Sequence, residues 1–178
     1  QWLDAGLSFG RVAVNIAGPQ IQRGDLVEAT HKALKISGLP AAHLELEVSE
    51  SFIMGEVRQA IGVLEELRNL GVSLAIDDFG TGYTSLAYLK RLPVNKLKID
   101  QSFVRDIPKD TNDMVITRNV IALGLSMQLE VIAEGVETET KKRFLLDGNC
   151  VKGQGCLFSR PLPAADFLDW AITQGAKR

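Results

Sequence analysis

A parallel α/β fold of barrel type is what this 178-residue chain predicts. The first observation is an alternation: strand, loop and helix recur about six times, at intervals of roughly 20 to 33 residues. The second is where the polar residues fall. Asn15, Glu47, Asp77, Lys98, Glu134 and Gln154 each sit at or near the C-terminal end of a different predicted strand. Six such groups converge at one mouth of a barrel, whereas an open doubly wound sheet spreads them along its edge and uses the switch-point crevice. Eight strands close a barrel and six are visible. The expectation is therefore a modified TIM-type (β/α)8 barrel, incomplete here, with about six of eight βα units. It is one domain over residues 1–178 that lacks its first quarter.

The elements follow in order. Gln1 to Gly10 reads as the tail of a helix running out at Gly6, and Arg11 to Ile16 as an apolar strand carrying Asn15. Leu26, Ala29, Ala33 and Leu34 space a helix over Asp25 to Ser37, which Gly38-Leu39-Pro40 stops. Leu44 to Ser49 alternates acid and apolar residues as a strand does. Val57, Ala60, Ile61, Leu64 and Leu67 stripe a helix from about Glu56 to Leu70, ended by Gly71. An apolar strand from Ser73 ends in Asp77-Asp78, and the loop Phe79-Gly80-Thr81-Gly82-Tyr83 leads to a helix starting at Thr84 or Ser85 and reaching towards Pro93. Then come a short strand Lys96 to Asp100, a helix Asn112 to Leu125 and a strand Leu129 to Ala133. Thr138 caps a helix that stops at Gly148, Cys150-Val151 forms a brief strand, and Ala164 to Thr173 a last helix.

The bulk composition excludes several classes. A formal charge of −2 offers no whole-molecule attraction to nucleic acid or anionic membrane. No apolar run reaches the ~20 residues that span a bilayer, and no leader pattern opens the chain; an anchor outside this stretch stays open. Cys150 and Cys156 have no CxxC spacing, so reduced thiols in a cytoplasmic protein are expected. His31 and His43 lack metal or triad spacing and read as structural.

Asp77-Asp78 is the most specific feature. Two adjacent acids at the end of an apolar strand repel each other and leave water, and a divalent cation is the simplest compensation. Neighbouring strand residues face opposite ways, so both reach one site only if the strand breaks at Asp78. Gly80 and Gly82 permit that break. Asp78-Phe79-Gly80 matches the letters of a kinase triad, but no other kinase element accompanies it. Blander readings stand beside each candidate. Glu45 and Glu47 share one face and suit a water-facing pair on an edge strand. Asn15 suits a turn, Glu134 and Glu137 a helix start, and Gln154 a tight turn. Lys98 would face a barrel interior, where an ammonium needs acidic company.

Together, VAVNIA, LELEVSE, LAIDDFGTGYTSL, LKIDQSFV, VIAEGVET and VKGQGCLFSRPLP resemble, in order, the motifs of the EAL-domain family, bacterial cyclic-di-GMP phosphodiesterases. The resemblance implies a (β/α)8 barrel with one antiparallel strand, two Mg²⁺ or Mn²⁺ ions, and hydrolysis of cyclic di-GMP to linear pGpG. By motif, Asn15, Glu47 and Asp77 resemble ligands of the first metal, and Asp77 and Asp78 those of the second. Lys98 resembles the lysine that contacts the attacking water or a phosphate oxygen, and Glu134 the acid beside that water. Glu50 resembles the glutamate steadying the loop that holds Gly80 and Thr81, and Gln154 the glutamine at the far wall. Glu137 is similar to a residue at the family's homodimer contact. An upstream sensor or GGDEF-type domain also fits the resemblance.

The chain departs from the family in two ways. The signature Glu-Ala-Leu strand end and the arginine-bearing element after it are absent, and Glu28-Ala29-Thr30 lies in a helix instead. Cys156 and Ala17 stand where tyrosine and serine are common. Three readings follow: part of an active phosphodiesterase, a catalytically inactive cyclic-di-GMP-binding or regulatory module, or an interaction scaffold. Intact Asp77-Asp78, Lys98 and Glu134 weigh against the scaffold. A first metal site short of one carboxylate and two open sheet edges predict little catalysis by this stretch alone, and self-association.

Overall fold

Among the described residues six strands form, and every one of their five pairings is parallel. The computed structural model describes residues 2–3, 5–55, 57–82 and 85–174, with the side chains of 54 and 55 outside that description. The strands are β1 (Val12–Ile16), β2 (Leu44–Ser49), β3 (Ser73–Phe79), β4 (Lys96–Ile99), β5 (Glu130–Ala133) and β6 (Lys152–Gly153). They lie side by side in sequence order. That order settles the class. Right-handed crossovers between successive neighbours place the connecting helices on one side, and in a barrel the sheet curls around its other side. A doubly wound sheet would reverse its order part-way.

The helices are α1 (Gly18–Arg23), α2 (Leu26–Ser37), α3 (Glu50–Gly55), α4 (Val57–Asn69), α5 (Leu86–Leu89), α6 (Gln101–Arg105), α7 (Thr111–Ser126), α8 (Glu139–Asp147) and α9 (Ala164–Thr173). α4 lies on β3 and α7 on β4 and β5. Between helices and sheet, Leu64, Leu67, Leu74, Leu97, Ile99 and Ile121 are at most 1% exposed. Each contributes roughly 1.5–3 kcal/mol by leaving water. This core is the outer layer; the concave face of the sheet carries the charges.

Some local expectations are corrected. Among the described residues, the stretch before Gly10 forms turns rather than a helix tail, with Gly6 at φ 73°. Trp2 instead packs its ring 4.7 Å from Phe167 of α9 and donates from Nε1 to the Ala164 carbonyl at 2.9 Å. The strand expected at Cys150-Val151 lies two residues later, at Lys152–Gly153, because Cys150 is buried and its thiol turns to the carbonyls of Val131 and Lys152. The helix after β3 is one turn, Leu86–Leu89, and Ser85 precedes it; Thr84 and Glu56 fall outside the described residues. Helices α1, α3 and α6 were not foreseen. Each is five or six residues, too short for a 3.6-residue period to show. Thr138 caps α8 as expected, accepting from the Lys141 N–H.

Candidate active site

Period two on a strand sends every second side chain to the same face. On the concave face this lines up Asn15 of β1, Glu45 and Glu47 of β2, Ser73 and Asp77 of β3, Lys96 and Lys98 of β4, and Glu130 of β5. Glu45 and Glu47 are 2% and 8% exposed on an inner strand, which overturns the solvent-facing edge reading. Their carboxylates are tolerated because cations cross the neighbouring strand to meet them.

Lys98 is the hub. Its ammonium lies 2.7 Å from Glu47 Oε2, 2.8 Å from Asp77 Oδ1 and 2.8 Å from Glu134 Oε1, with 4% of its side chain exposed. Burial would lower its pKa, but hydrogen bonds to Asp77, Glu134 and Glu47 outweigh it and hold the ammonium charged. Glu134 leaves β5 at its C-terminal end, and its backbone N–H donates to the Ile99 carbonyl at 3.1 Å. Burial pushes the Glu134 carboxyl up, Lys98 pulls it down, and the like charges of Asp77 and Glu47 push it up again; the net direction is upward.

β3 breaks where the two acids needed it to. The register with β4 shifts between Ile76 and Phe79, and Asp78 takes φ 55°, left-handed backbone that few residues except Gly, Asn and Asp adopt. Asp77 and Asp78 thereby turn to one place, and carboxylate oxygens of Asp77, Asp78 and Glu134 lie within 4.8 Å of one another. Burial first, then the charges of Asp77 and Asp100, raise the Asp78 carboxyl. The loop behind Asp78 is tied down. The Gly80 and Gly82 N–H groups donate to Glu50 Oε2 at 2.7 and 3.3 Å, and Thr81 Oγ1 donates to the Asp78 carbonyl at 2.8 Å. Glu50 itself is 2% exposed.

The Asn15 amide ends 3.1 Å from Glu47 Oε2 and 3.2 Å from Asp77 Oδ2; with its nitrogen inward it donates to both. Turned the other way, Asn15, Glu47 and Asp77 present oxygens alone, the donor set of a hard divalent cation. Three carboxylates, of Glu47, Asp77 and Glu134, pair with the one Lys98 ammonium, Asp78 stands beside them, and the formal charge of the cluster is negative. The residues present therefore fit a divalent cation.

Not every expected site residue joins this cluster. Gln154 uses its backbone to join Ala133 and Val136, and it lines a cavity of about 500 Å³ on the concave face with Glu47 and Lys98. Glu137 points outward and pairs with Lys141 at 3.1 Å. His31 is exposed, and His43 Nδ1 hydrogen-bonds the Gly10 carbonyl at 2.8 Å. Two features went unread in the sequence. Asp100, which ends the Lys-Ile-Asp run, lies close enough to Asp78 to help raise its carboxyl and caps α6 through the Ser102 N–H. Its placement two residues after Lys98 was the available signal. Beneath the cluster runs a second line of charges. Lys96 lies 2.7 Å from Glu45 and 3.1 Å from Glu130, and Lys152 lies 2.6 Å from Glu130.

Comparison with known proteins agrees with this geometry. The EAL domain family model matches residues 1–161. The chain belongs to the EAL domain family. It is 52% identical over 161 residues to the protein named cyclic di-GMP phosphodiesterase NbdA of Pseudomonas aeruginosa, covering 90% of this chain and 21% of that protein. The chain thus spans about a fifth of that relative's length. Among solved structures, the PaMucR phosphodiesterase in complex with c-di-GMP superposes with a TM-score of 0.90 at 43% identity, over 93% of this chain and 67% of that one. The Klebsiella pneumoniae BlrP1 manganese/cy-diGMP complex superposes at 0.78 and 34% identity, over 85% and 39%. EAL-family membership and the sequential parallel sheet agree on a TIM-type barrel.

Proposed function

We propose that the EAL domain to which this chain belongs hydrolyses cyclic di-GMP to linear pGpG, using two divalent cations, Mg²⁺ or Mn²⁺, at the C-terminal mouth of its strands. The observation that carries the reading is the convergence of Asn15, Glu47, Asp77, Asp78 and Glu134 around Lys98. The names of the relatives supply the substrate class. Asn15, Glu47 and Asp77 hold one cation in this scheme, and Asp77 and Asp78 the other. When bound, such ions lower the pKa of a water and neutralise phosphate oxygens.

The chain's own side chains do the rest. Glu134, with its carboxyl pushed upward, takes the proton of the attacking water as the water oxygen bonds to phosphorus and one P–O ester bond breaks, and the departing ribose oxygen takes up a proton from solvent water to leave as a hydroxyl. Lys98 donates to a phosphate oxygen as negative charge builds there. Glu50, Gly80 and Thr81 hold the loop so that Asp78 keeps its direction. Gln154 forms the far wall for the nucleotide. Exposed Glu137 lies away from the chemistry, where a homodimer contact is sterically free.

The test is Mn²⁺-dependent conversion of cyclic di-GMP to pGpG by the full-length parent protein and by its Asp77→Ala variant. Turnover that vanishes in the variant, together with Mn²⁺ binding, supports the reading. Undiminished turnover in Asp77→Ala overturns the metal site, and nucleotide binding without turnover in the wild type shifts the reading to a receptor module.

A further inference from the structure

β4 lies between β3 and β5 in the sheet, so a helix that follows β4 directly sits between the loops leaving its two neighbours. That helix is α6, five residues long. The two loops carry Asp78 and Glu134, whose carboxylate oxygens come within 4.8 Å of each other. Each loop meets α6 at a glycine. Gly80 has φ 102°, and a Cβ on it would lie 2.8 Å from Cε2 of Phe103. Gly135 has φ 68°, and a Cβ on it would lie 2.9 Å from Cβ of Gln101. Real side chains do not approach so closely, so both loop backbones rest directly on α6. Gly80 is two residues from Asp78, and Gly135 is next to Glu134. Asp100, which caps α6 through the Ser102 N–H, stands beside Asp78 as well.

A helix this short does not hold itself. Val104 anchors it, fully buried in the core. Its far end is held from α7. The Phe103 carbonyl belongs to the last turn, where carbonyls lose their helical partners, and the Ile107 N–H goes to the Val104 carbonyl instead. Thr117 of α7, fully buried, donates its hydroxyl to the Phe103 carbonyl at 3.1 Å. A threonine inside a helix commonly turns its hydroxyl back on its own helix; this one reaches across to the neighbouring element. We propose that α6 is the wedge that sets Asp78 and Glu134 against each other, and that Thr117 is a positioning residue for both carboxylates, acting through Phe103. The geometry stands by itself; the consequence for cation binding rests on the functional reading above.

The experiment compares Thr117→Val, Thr117→Ser and Thr30→Val with the wild type in the full-length parent protein. Valine keeps the volume and strands the Phe103 carbonyl, whereas serine keeps the hydroxyl. Thr30, buried on α2 and donating to the Leu26 carbonyl at 2.8 Å, controls for the loss of a threonine hydroxyl away from α6. Hydrogen exchange is read at Gly80 and Gly82, whose N–H groups go to Glu50, and at Glu134 and Val136, whose N–H groups go to the Ile99 and Gln154 carbonyls. In Thr117→Val, exchange in both loops should rise together, on the order of tenfold. Mn²⁺ affinity, measured by calorimetry, should fall by roughly the same factor, about the effect of disturbing a residue behind a metal ligand. Both readouts should return to wild-type values in Thr117→Ser and stay there in Thr30→Val. Loosening of one loop only, of neither, or of the whole domain alike overturns the proposal, as does Thr30→Val behaving like Thr117→Val. Unchanged Mn²⁺ affinity in Thr117→Val, where the wild type binds the ion, overturns it too. If the wild type binds no Mn²⁺, the functional reading fails alone, and exchange in the two loops still decides this inference.

Discussion

Glu50 Oε2 accepts the N–H groups of both Gly80 and Gly82, at 2.7 and 3.3 Å, so one buried carboxylate at the start of α3 holds the loop that leaves β3. Gly80 has φ 102°, and a Cβ there would press on the Phe103 ring. The loop therefore follows one path, with Asp78 at its base. Glu50→Ala removes the acceptor from two N–H groups, with an expected loss on the order of 1–3 kcal/mol. Amide exchange at Gly80 and Gly82 should speed up, and any turnover of cyclic di-GMP by the full-length parent protein should drop along with it. Unchanged exchange at both glycines would show that the loop is held by something else.

The pH dependence of the metal-free protein should carry two opposite signs. Burial and like charges raise the Glu134 carboxyl above its ordinary 4.5, so the folded state binds that proton more tightly than the unfolded one. The charged form costs stability at neutral pH, and the cost fades as pH falls through the raised value. Glu130 runs the other way. Burial would raise it, but hydrogen bonds from Lys152 and Lys96 win and lower it. Its contribution is present above about pH 4.5 and is lost as pH falls through the depressed folded value. Melting temperatures from about pH 2 to about pH 8 check both. Glu134→Gln should flatten the decline above 4.5, and Glu130→Gln should remove part of the acid-side loss. A Glu134→Gln curve parallel to wild type throughout would contradict the assignment.

Trp2 bridges the two ends of the curved sheet. Its ring meets Phe9 at 5.7 Å and Phe167 at 4.7 Å, so the segment before β1 touches the helix after β6. Both β1 and β6 are edge strands, and edges that lose cover pair with other copies. Trp2→Ala should cost about 2 kcal/mol for a partly buried ring, and should increase self-association on gel filtration. A variant as stable and as monodisperse as wild type would show that the bridge carries no weight.

Much of the site was legible because a strand's period is two. Lys96 and Lys98, like Glu45 and Glu47, alternate with apolar residues, and that alone places each pair on one face. The break at Asp78 was legible too, since two adjacent acids followed by Gly80 and Gly82 leave few other ways to share a site. The short helices were not, because α3 and α6 are less than two turns and owe their formation to what they rest on. Neither was the burial of Glu45. Alternating acids look the same on a wet edge as in a charged interior, and only a lysine arriving from two strands away tells them apart.

By itself the chain's order of residues determined the parallel α/β class, the face on which each polar group stands, and the family to which those motifs belong. Tertiary structure alone decided who pairs with whom: Lys98 with Glu47, Asp77 and Glu134, and Lys96 with Glu45 and Glu130. The physical reason is distance. Local propensity acts over a few residues, whereas a buried charge is stabilised only by the group that folding brings within about 3 Å of it, and that group comes from another strand.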